Sequence, residues 1–360
     1  MTAPAILVLT TVHPPDDTRI RERLIRSLDG VGQVTYATKD PGPTDRSDLT
    51  WMRLGGGRLG RNLNAFRLLL GRDWDLAILH DPETIPAGVL AHLVRRSTVV
   101  FDVHEDLPAQ IASKTWVPVW ARPAFRALGR GLYWLAGNFL VLSLAEPGYR
   151  RLFQGDHPVF ANYPRSSAFP DPRAIGDGSA VYVGDITRAR GIEEALAASD
   201  RSGVSLVAVG RVDDGLAQSL SARARALGVE LTFTGHLPNP EAVARMSMAS
   251  VGLSPLRDEA NYRDSLPTKT LEYLAMGVPV VATDLPGTRS VLGDLEAVWL
   301  VPPGDVTAMA TAIEEAVRPE ARTAAAGQAT EVRDRFRWPE EDVRSFYTEL
   351  INRRETQDPS

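Results

Sequence analysis

Short runs of apolar, β-branched residues alternate with helix-forming stretches along most of this chain, and that alternation most narrows its fold. Ala5–Thr11, Val34–Thr38, Leu76–His80, Val99–His104, Phe139–Ser143 and Val159–Asn162 read as buried strands. Helical segments such as Asn62–Leu70 and Pro86–Val94 lie between them. Strand, helix and strand in succession call for parallel pairing through right-handed crossovers. The rhythm breaks over Tyr163–Ser179, where three prolines and two glycines without apolar periodicity read as a linker. It then restarts. Val181–Val183, Leu206–Val209, Leu231–Thr234, Val251–Ser254, Pro279–Ala282 and Val298–Val301 read as strands. Ile192–Ser199, Leu216–Leu227, Glu241–Ala249 and Val306–Ala316 read as helices between them. The expected fold class is α/β, with two Rossmann-like parallel-sheet domains at 1–165 and 180–337 joined by 166–179. A last helix with a tail occupies 338–360, and its apolar face (Val343, Phe346, Tyr347, Leu350, Ile351) could return to the first domain.

Composition supports this size of core. The chain has 360 residues, 44% of them apolar and 24% charged, which is ordinary for a globular protein with two domains. A net charge of −5 argues against a dedicated nucleic-acid binder. The absence of cysteine removes disulfides and thiolate metal sites and is compatible with a cytoplasmic address. MTAPAILVLTT has no basic region before its apolar run, so it reads as a first strand and not a signal peptide. No window is long and apolar enough to span a membrane.

Three polar clusters fall just after strands: Asp16-Asp17-Thr18-Arg19, His80-Asp81-Pro82-Glu83 and His104-Glu105-Asp106. In a parallel sheet all three emerge on one edge, where open α/β sheets bind ligands. Asp17 or Thr18 caps a helix whose Ile20, Leu24, Ile25 and Leu28 share a face, which puts Arg19 in its first turn beside that edge. A dehydrogenase is disfavoured, because VHPPDDTRI lacks the G-x-G-x-x-G that a dinucleotide site needs. Gly55-Gly56-Gly57 follows no recognised strand and opens no recognised helix, so it reads as a flexible loop. Neither histidine cluster has the helical i, i+4 spacing of a zinc site. Lys114–Ala136 mixes Trp116, Trp120, Phe125, Tyr133 and Trp134 with Arg122, Arg126 and Arg130. It suits either an amphipathic element on a membrane surface or a packed helix with snorkelling arginines.

Asn261–Gly287 reads as loop, helix, strand, loop. Thr268 starts a helix with Leu271, Leu274 and Ala275 on its buried stripe, and Gly277 ends it. A helix start offers free N–H groups to an anion, Lys269 stands in its first turn, and Glu272 follows on about the same face. That chemistry suits a phosphorylated ligand with hydroxyls.

Five strings in order, TTVHPPDDTRI, HDPE with DVHEDLP, VYVGDITRARGIEEAL and DSLPTKTLEYLAMGVPVVATDLPG, resemble a bacterial branch of the GT-B-fold retaining glycosyltransferases of family 4. The resemblance covers nearly the whole length and implies two domains facing across a cleft. It implies transfer of a sugar from a nucleotide diphosphate sugar, UDP-type by default, to a hydroxyl acceptor, with no metal and no further cofactor. Residue by residue, Glu272 matches the glutamate that accepts from ribose hydroxyls, and Asp264 falls where the family has a second glutamate. Ser265, Leu266 and Pro267 would border the donor sugar and diphosphate. Arg190 matches the family's lysine on the diphosphate. Asp185 stands where an arginine is usual, with Arg188 and Lys269 placed to supply charge. The loops at Gly210 and Gly235, with His236 and Leu237, would hold the base. His104 matches the histidine facing the donor sugar, so His104, Asp264 and Arg190 form the implied catalytic set. Asp16, Asp17, Thr18, Arg19, His80, Asp81 and Glu83 would line the acceptor side. A glycan, lipid-linked or small natural-product acceptor fits this reading, as does a cytoplasmic protein, peripheral at the inner membrane face if 114–136 touches lipid. An epimerase of the same fold and a non-catalytic nucleotide-sugar binder are the alternatives.

Overall fold

The computed structural model describes residues 3–40, 42, 49–108, 117–165, 169–265 and 268–357. They form two compact units, Met1–Asn162 with Trp338–Ser360, and Tyr163–Arg337.

The first unit is built on β1 (Ala5–Leu9), β2 (Gln33–Thr38), β3 (Leu49–Arg53), β4 (Leu76–Leu79), β5 (Thr98–Val103) and β6 (Val141–Leu144). The sheet is parallel throughout, in the order β3-β2-β1-β4-β5-β6. Side chains alternate along each strand. Leu7, Leu9, Ala77 and Leu79 therefore pack beneath the helices Arg58–Gly71, Ile85–Arg95 and Arg122–Phe139. Ile6, Val8, Ile78 and Val100 face the opposite way, under Thr18–Ile25 and the last helix, Glu340–Gln357. Trp338 Nε1 donates to Ser27 Oγ at 2.9 Å, and Arg354 donates to Trp74 O at 2.6 Å, so the C-terminal segment belongs to this unit.

The second unit carries β7 (Ala180–Val183), β8 (Leu206–Val209), β9 (Leu231–Gly235), β10 (Val251–Ser254), β11 (Val280–Thr283) and β12 (Val298–Val301). Its parallel order is β12-β11-β10-β7-β8-β9. Counted from its own first strand, this is the order of the first unit. Both are Rossmann sheets. The order reverses between β1 and β4, and again between β7 and β10, and a crevice opens at the carboxyl ends of those strands.

The structure departs from the sequence expectation in four places. β3 is an edge strand with Thr50, Met52 and Arg53 exposed, so it has no continuous apolar run to announce it. Gly55-Gly56-Gly57 consequently does follow a strand, and Gly57 caps the helix Arg58–Gly71. Val159–Asn162 makes only the single bridge of Val159 to Leu144, because the chain turns away to place Phe160 against Phe346 of the last helix. The helix Pro319–Arg335 was not expected, since its buried stripe, Ala321, Ala325 and Ala329, is alanine. The segment read as a linker is packed onto the second unit: Asp177 pairs with Arg245 at 2.7 Å, and Arg322 Nε donates to Arg173 O at 2.9 Å.

Candidate active site

Each unit places functional side chains at its own switch point. In the first, the loops after β1 and β4 meet through Asp81. Its Oδ2 accepts from Thr10 Oγ1 at 2.9 Å and from Thr11 N at 2.6 Å. Asp81 is buried, so it braces the crevice and does not line it. The same holds for His80, whose Nδ1 lies 3.3 Å from Asp102 Oδ2 in the core. Arg19, expected at the crevice, is turned inward. Its Nε and Nη2 donate to the two oxygens of Asp102 at 2.9 and 2.8 Å, and its Nη1 donates to Phe160 O at 3.1 Å. Burial opposes the ionised form of Asp102, but Arg19 and His80 outweigh it and hold the carboxyl well below the usual range. His80, Asp102 and His104 bring ligand atoms within 4.8 Å of one another, a spacing a metal could use. Arg19 and Ser143, which donates at 2.9 Å, already occupy that carboxylate.

The crevice itself is left to Asp16, which is exposed, and to half-buried Asp17, Thr18, Glu83 and His104. Asp17 caps the helix Thr18–Ile25 by accepting from Ile20 N at 3.0 Å. Its other oxygen faces His13 Nδ1 at 3.2 Å. His13 was not singled out from the sequence, yet its Nε2 lies 3.0 Å from His104 Nε2. Only the run of three polar clusters on one sheet edge hinted at it, since its partner is 91 residues away.

At the second switch point a row of glycines forms a shelf free of side chains. Gly184 N donates to Val209 O and Gly210 N to Gly235 O, both at 2.9 Å, so Gly184, Gly210 and Gly235 stand side by side at the carboxyl ends of β7, β8 and β9. A Cβ on Gly210, with φ +146°, would lie 1.9 Å from Gly184 O, so no other residue fits there. Arg190 reaches back over this shelf. A Cβ on Gly184 would come within 3.1 Å of its Nη1, and the Tyr182 ring lies alongside. Burial pushes the Tyr182 phenol up to about 12, and it donates to Asp185 O at 2.9 Å. Arg188 points elsewhere, exposed and paired with Glu193 at 2.9 Å. Asp185 pairs with Arg211 at 3.5 Å. The loop after β10 brings in Arg257, which sequence reading passed over. It pairs with Glu194 at 2.8 Å and Glu193 at 3.2 Å, and its position at the carboxyl end of β10 was the available clue.

The helix Thr268–Ala275 enters here. Leu271, Leu274 and Ala275 are buried, as their spacing implied. Lys269 Nζ and Glu272 Oε2 are 2.6 Å apart, with Glu272 nearly enclosed and Lys269 half-buried. Gly287 lies against Asp264 and Ser265, since a Cβ there would be 2.8 Å from Asp264 C and from Ser265 O. Asp264 is exposed and Ser265 half-buried. His236 is exposed, and Leu237 packs on the core behind β8. Leu266 and Pro267 lie outside the described residues.

Residues 179–318 match the family model described as "Glycosyl transferases group 1". The chain is 27% identical over 266 residues to a phosphatidyl-myo-inositol mannosyltransferase of Mycobacterium leprae, covering 70% of this chain and 66% of that one. The chain thus spans just under two thirds of that relative's length. Among solved structures, the sucrose-phosphate synthase of Thermosynechococcus elongatus aligns with a TM-score of 0.77 at 18% identity, covering 99% of this chain and 100% of that one. HepE of Anabaena, in complex with UDP-glucose, aligns with a TM-score of 0.73 at 15% identity, covering 97% and 100%.

Proposed function

We propose that this chain, whose residues 179–318 match the group 1 glycosyltransferase model, transfers a sugar from a nucleoside diphosphate sugar to a hydroxyl acceptor with retention of configuration. The observation that carries the reading is the grouping at the second switch point. The glycine shelf leaves room for a flat base, Glu272 offers a carboxylate to vicinal ribose hydroxyls, and Arg190 supplies charge for a diphosphate. The UDP-glucose complex of HepE supports a uridine donor as first probe. Charge develops on the departing diphosphate as the glycosidic bond breaks, and fixed cations lower that barrier. Arg190 and Lys269 serve this without a metal, while Arg188 and Arg257 remain tied to Glu193 and Glu194 until a ligand competes for them.

Incubation with labelled nucleotide sugars tests this. Release of nucleoside diphosphate with a glycosylated product is expected. An isomerised donor, or binding without conversion, would replace the reading by an epimerase or a non-catalytic binder. A donor at 100 times its dissociation constant should add about 2.7 kcal/mol of stability.

The acceptor is met, on this reading, beside a membrane. No described helix is long and apolar enough to cross one. The three helices over one face of the first sheet, Arg58–Gly71, Ile85–Arg95 and Arg122–Phe139, contain no aspartate or glutamate. Trp134 is 62% exposed on the last of them and Trp120 is 85% exposed just before it, with Leu59, Leu93 and Leu128 also bare. Lys114 and Trp116 lie outside the described residues. Binding to phosphatidylglycerol vesicles, and not to phosphatidylcholine, is the expected result of co-sedimentation. Replacing Arg126 and Arg130 by alanine should weaken it by about 2 kcal/mol, roughly thirtyfold, at about 1 kcal/mol per arginine. No binding to either lipid would remove the membrane from the proposal, and equal binding to both would remove the part given to the arginines.

A further inference from the structure

His13 follows β1, Asp81 follows β4 and His104 follows β5, and these strands are neighbours in the first sheet, so all three residues stand on one edge of the first unit. Each histidine is held by its Nδ1. His13 Nδ1 lies 3.2 Å from the Asp17 carboxylate, and His104 Nδ1 lies 3.0 Å from the carbonyl oxygen of Asp102. Both partners only accept, so both rings carry a hydrogen on Nδ1. The two Nε2 atoms are left facing one another at 3.0 Å. Two lone pairs at that distance repel, so the contact calls for a cation between them, and without a metal a proton on His13 fills that place. Asp81 adds an oxygen. Its Oδ2 is taken by Thr10 and Thr11, while its Oδ1 lies 3.6 Å from His13 Nε2.

We propose that His13 Nε2, His104 Nε2 and Asp81 Oδ1 bind a zinc-class divalent ion, with water as the fourth ligand. Bonds of about 2.0–2.1 Å put two ligand atoms about 3.3 Å apart around a tetrahedral zinc ion, near the 3.0 and 3.6 Å separations here. The outer partners are the ones that ligating histidines use, because a carboxylate or carbonyl on the far nitrogen fixes the ring and raises its basicity. Imidazole nitrogens favour zinc over magnesium, which takes oxygen ligands. Asp17, Asp81 and Glu105 all bring negative charge to His13, which suits a dication. Binding sends the proton on His13 Nε2 to solvent. The set of His80, Asp102 and His104 is the weaker one, because Arg19 already donates to both oxygens of Asp102. An ion on His13, Asp81 and His104 ties the loops after β1, β4 and β5 together and covers His104. That it would thereby inhibit turnover rests on the proposed transferase reading, whereas the binding does not.

The full chain, stripped of metal by a chelator, tests this without any nucleotide sugar. Zinc titrated in competition with a chromophoric indicator should fill one site per chain. Cobalt(II) should give the intense visible bands of a four-coordinate ion, and excess magnesium should displace neither. His13→Gln and His104→Gln should each abolish the site. Asparagine caps a helix as well as aspartate does, so Asp17→Asn keeps the cap on Ile20 N and loses only the carboxylate contact with His13. It should weaken zinc binding about 10- to 100-fold. His13 is half-buried on a loop, so if His104→Gln fails to fold, His13→Gln and Asp17→Asn decide the matter. No zinc uptake by the unaltered chain, uptake unchanged in His13→Gln, or affinity unchanged in Asp17→Asn overturns the site. Loss in His104→Gln alone overturns it too, and moves the ion to His80 and Asp102. If zinc binds but the zinc-free protein turns over no nucleotide sugar, the transferase reading fails and the metal site stands.

Discussion

Replacing Asp102 by alanine is expected to destabilise the first unit by about 3–5 kcal/mol, the usual cost of leaving one partner of a buried ion pair alone. Arg19 is 8% exposed and Asp102 2%, so water cannot replace the lost carboxylate. Ser143 and His80 would lose a partner at the same moment. Hydrogen exchange at the amides of β5, followed beside those of β10, separates the first unit from the second. Faster exchange confined to the first unit is expected, and unchanged protection there would show that Arg19 is satisfied by its bond to Phe160 alone. Replacing Arg19 and Asp102 together by apolar residues of similar size should recover much of the loss. The pH dependence follows from the same pair. The folded pKa of Asp102 is depressed, so its contribution is fully present above the ordinary carboxylate range. It declines as pH falls below that range and is gone once pH has passed through the lowered folded value, so the first unit should lose stability progressively in acid.

Replacing Glu272 by alanine is expected to weaken donor binding about 10- to 150-fold, the equivalent of about 1.5–3 kcal/mol for hydrogen bonds to a charged group. The loss should be equal for the nucleotide sugar and for its nucleoside diphosphate, because the carboxylate would hold the ribose that both share. Calorimetric titration of the two ligands measures this, and an unchanged affinity would remove Glu272 from the donor site. The fold should tolerate the change well, since half-buried Lys269 can turn to water when its partner at 2.6 Å is gone.

The strands and most of the helices could be read locally. Val280-Val281-Ala282 and Leu206–Val209 are uninterrupted apolar runs because both faces of a parallel strand are covered. β3 escaped because an edge strand has half its side chains in solvent, and missing it hid the helix start at Gly57. Pro319–Arg335 escaped because alanine spacing is a weak hydrophobic signal, although Ala321, Ala325 and Ala329 are all buried. At the sites, the Lys269 and Glu272 pairing was legible, since three residues in a helix place two side chains together whatever the rest of the chain does.

Arg19 shows where such reading stops. Its place in the first turn of a helix could be deduced, but its direction could not. The carboxylate that turns it inward lies 83 residues further on, on a strand separated from β1 by β4. The same is true of His13 and His104, and of Gly210, whose lack of a side chain is explained only by the carbonyl of Gly184 on the neighbouring strand. The sequence by itself determined which segments are strands and helices, and that loops rich in His, Asp and Glu leave one sheet edge, because periods of two and 3.6 residues are local properties of the backbone. Tertiary structure alone decided which of those polar residues brace the core and which face the crevice. That choice depends on partners brought together by strand order, and no local period encodes strand order.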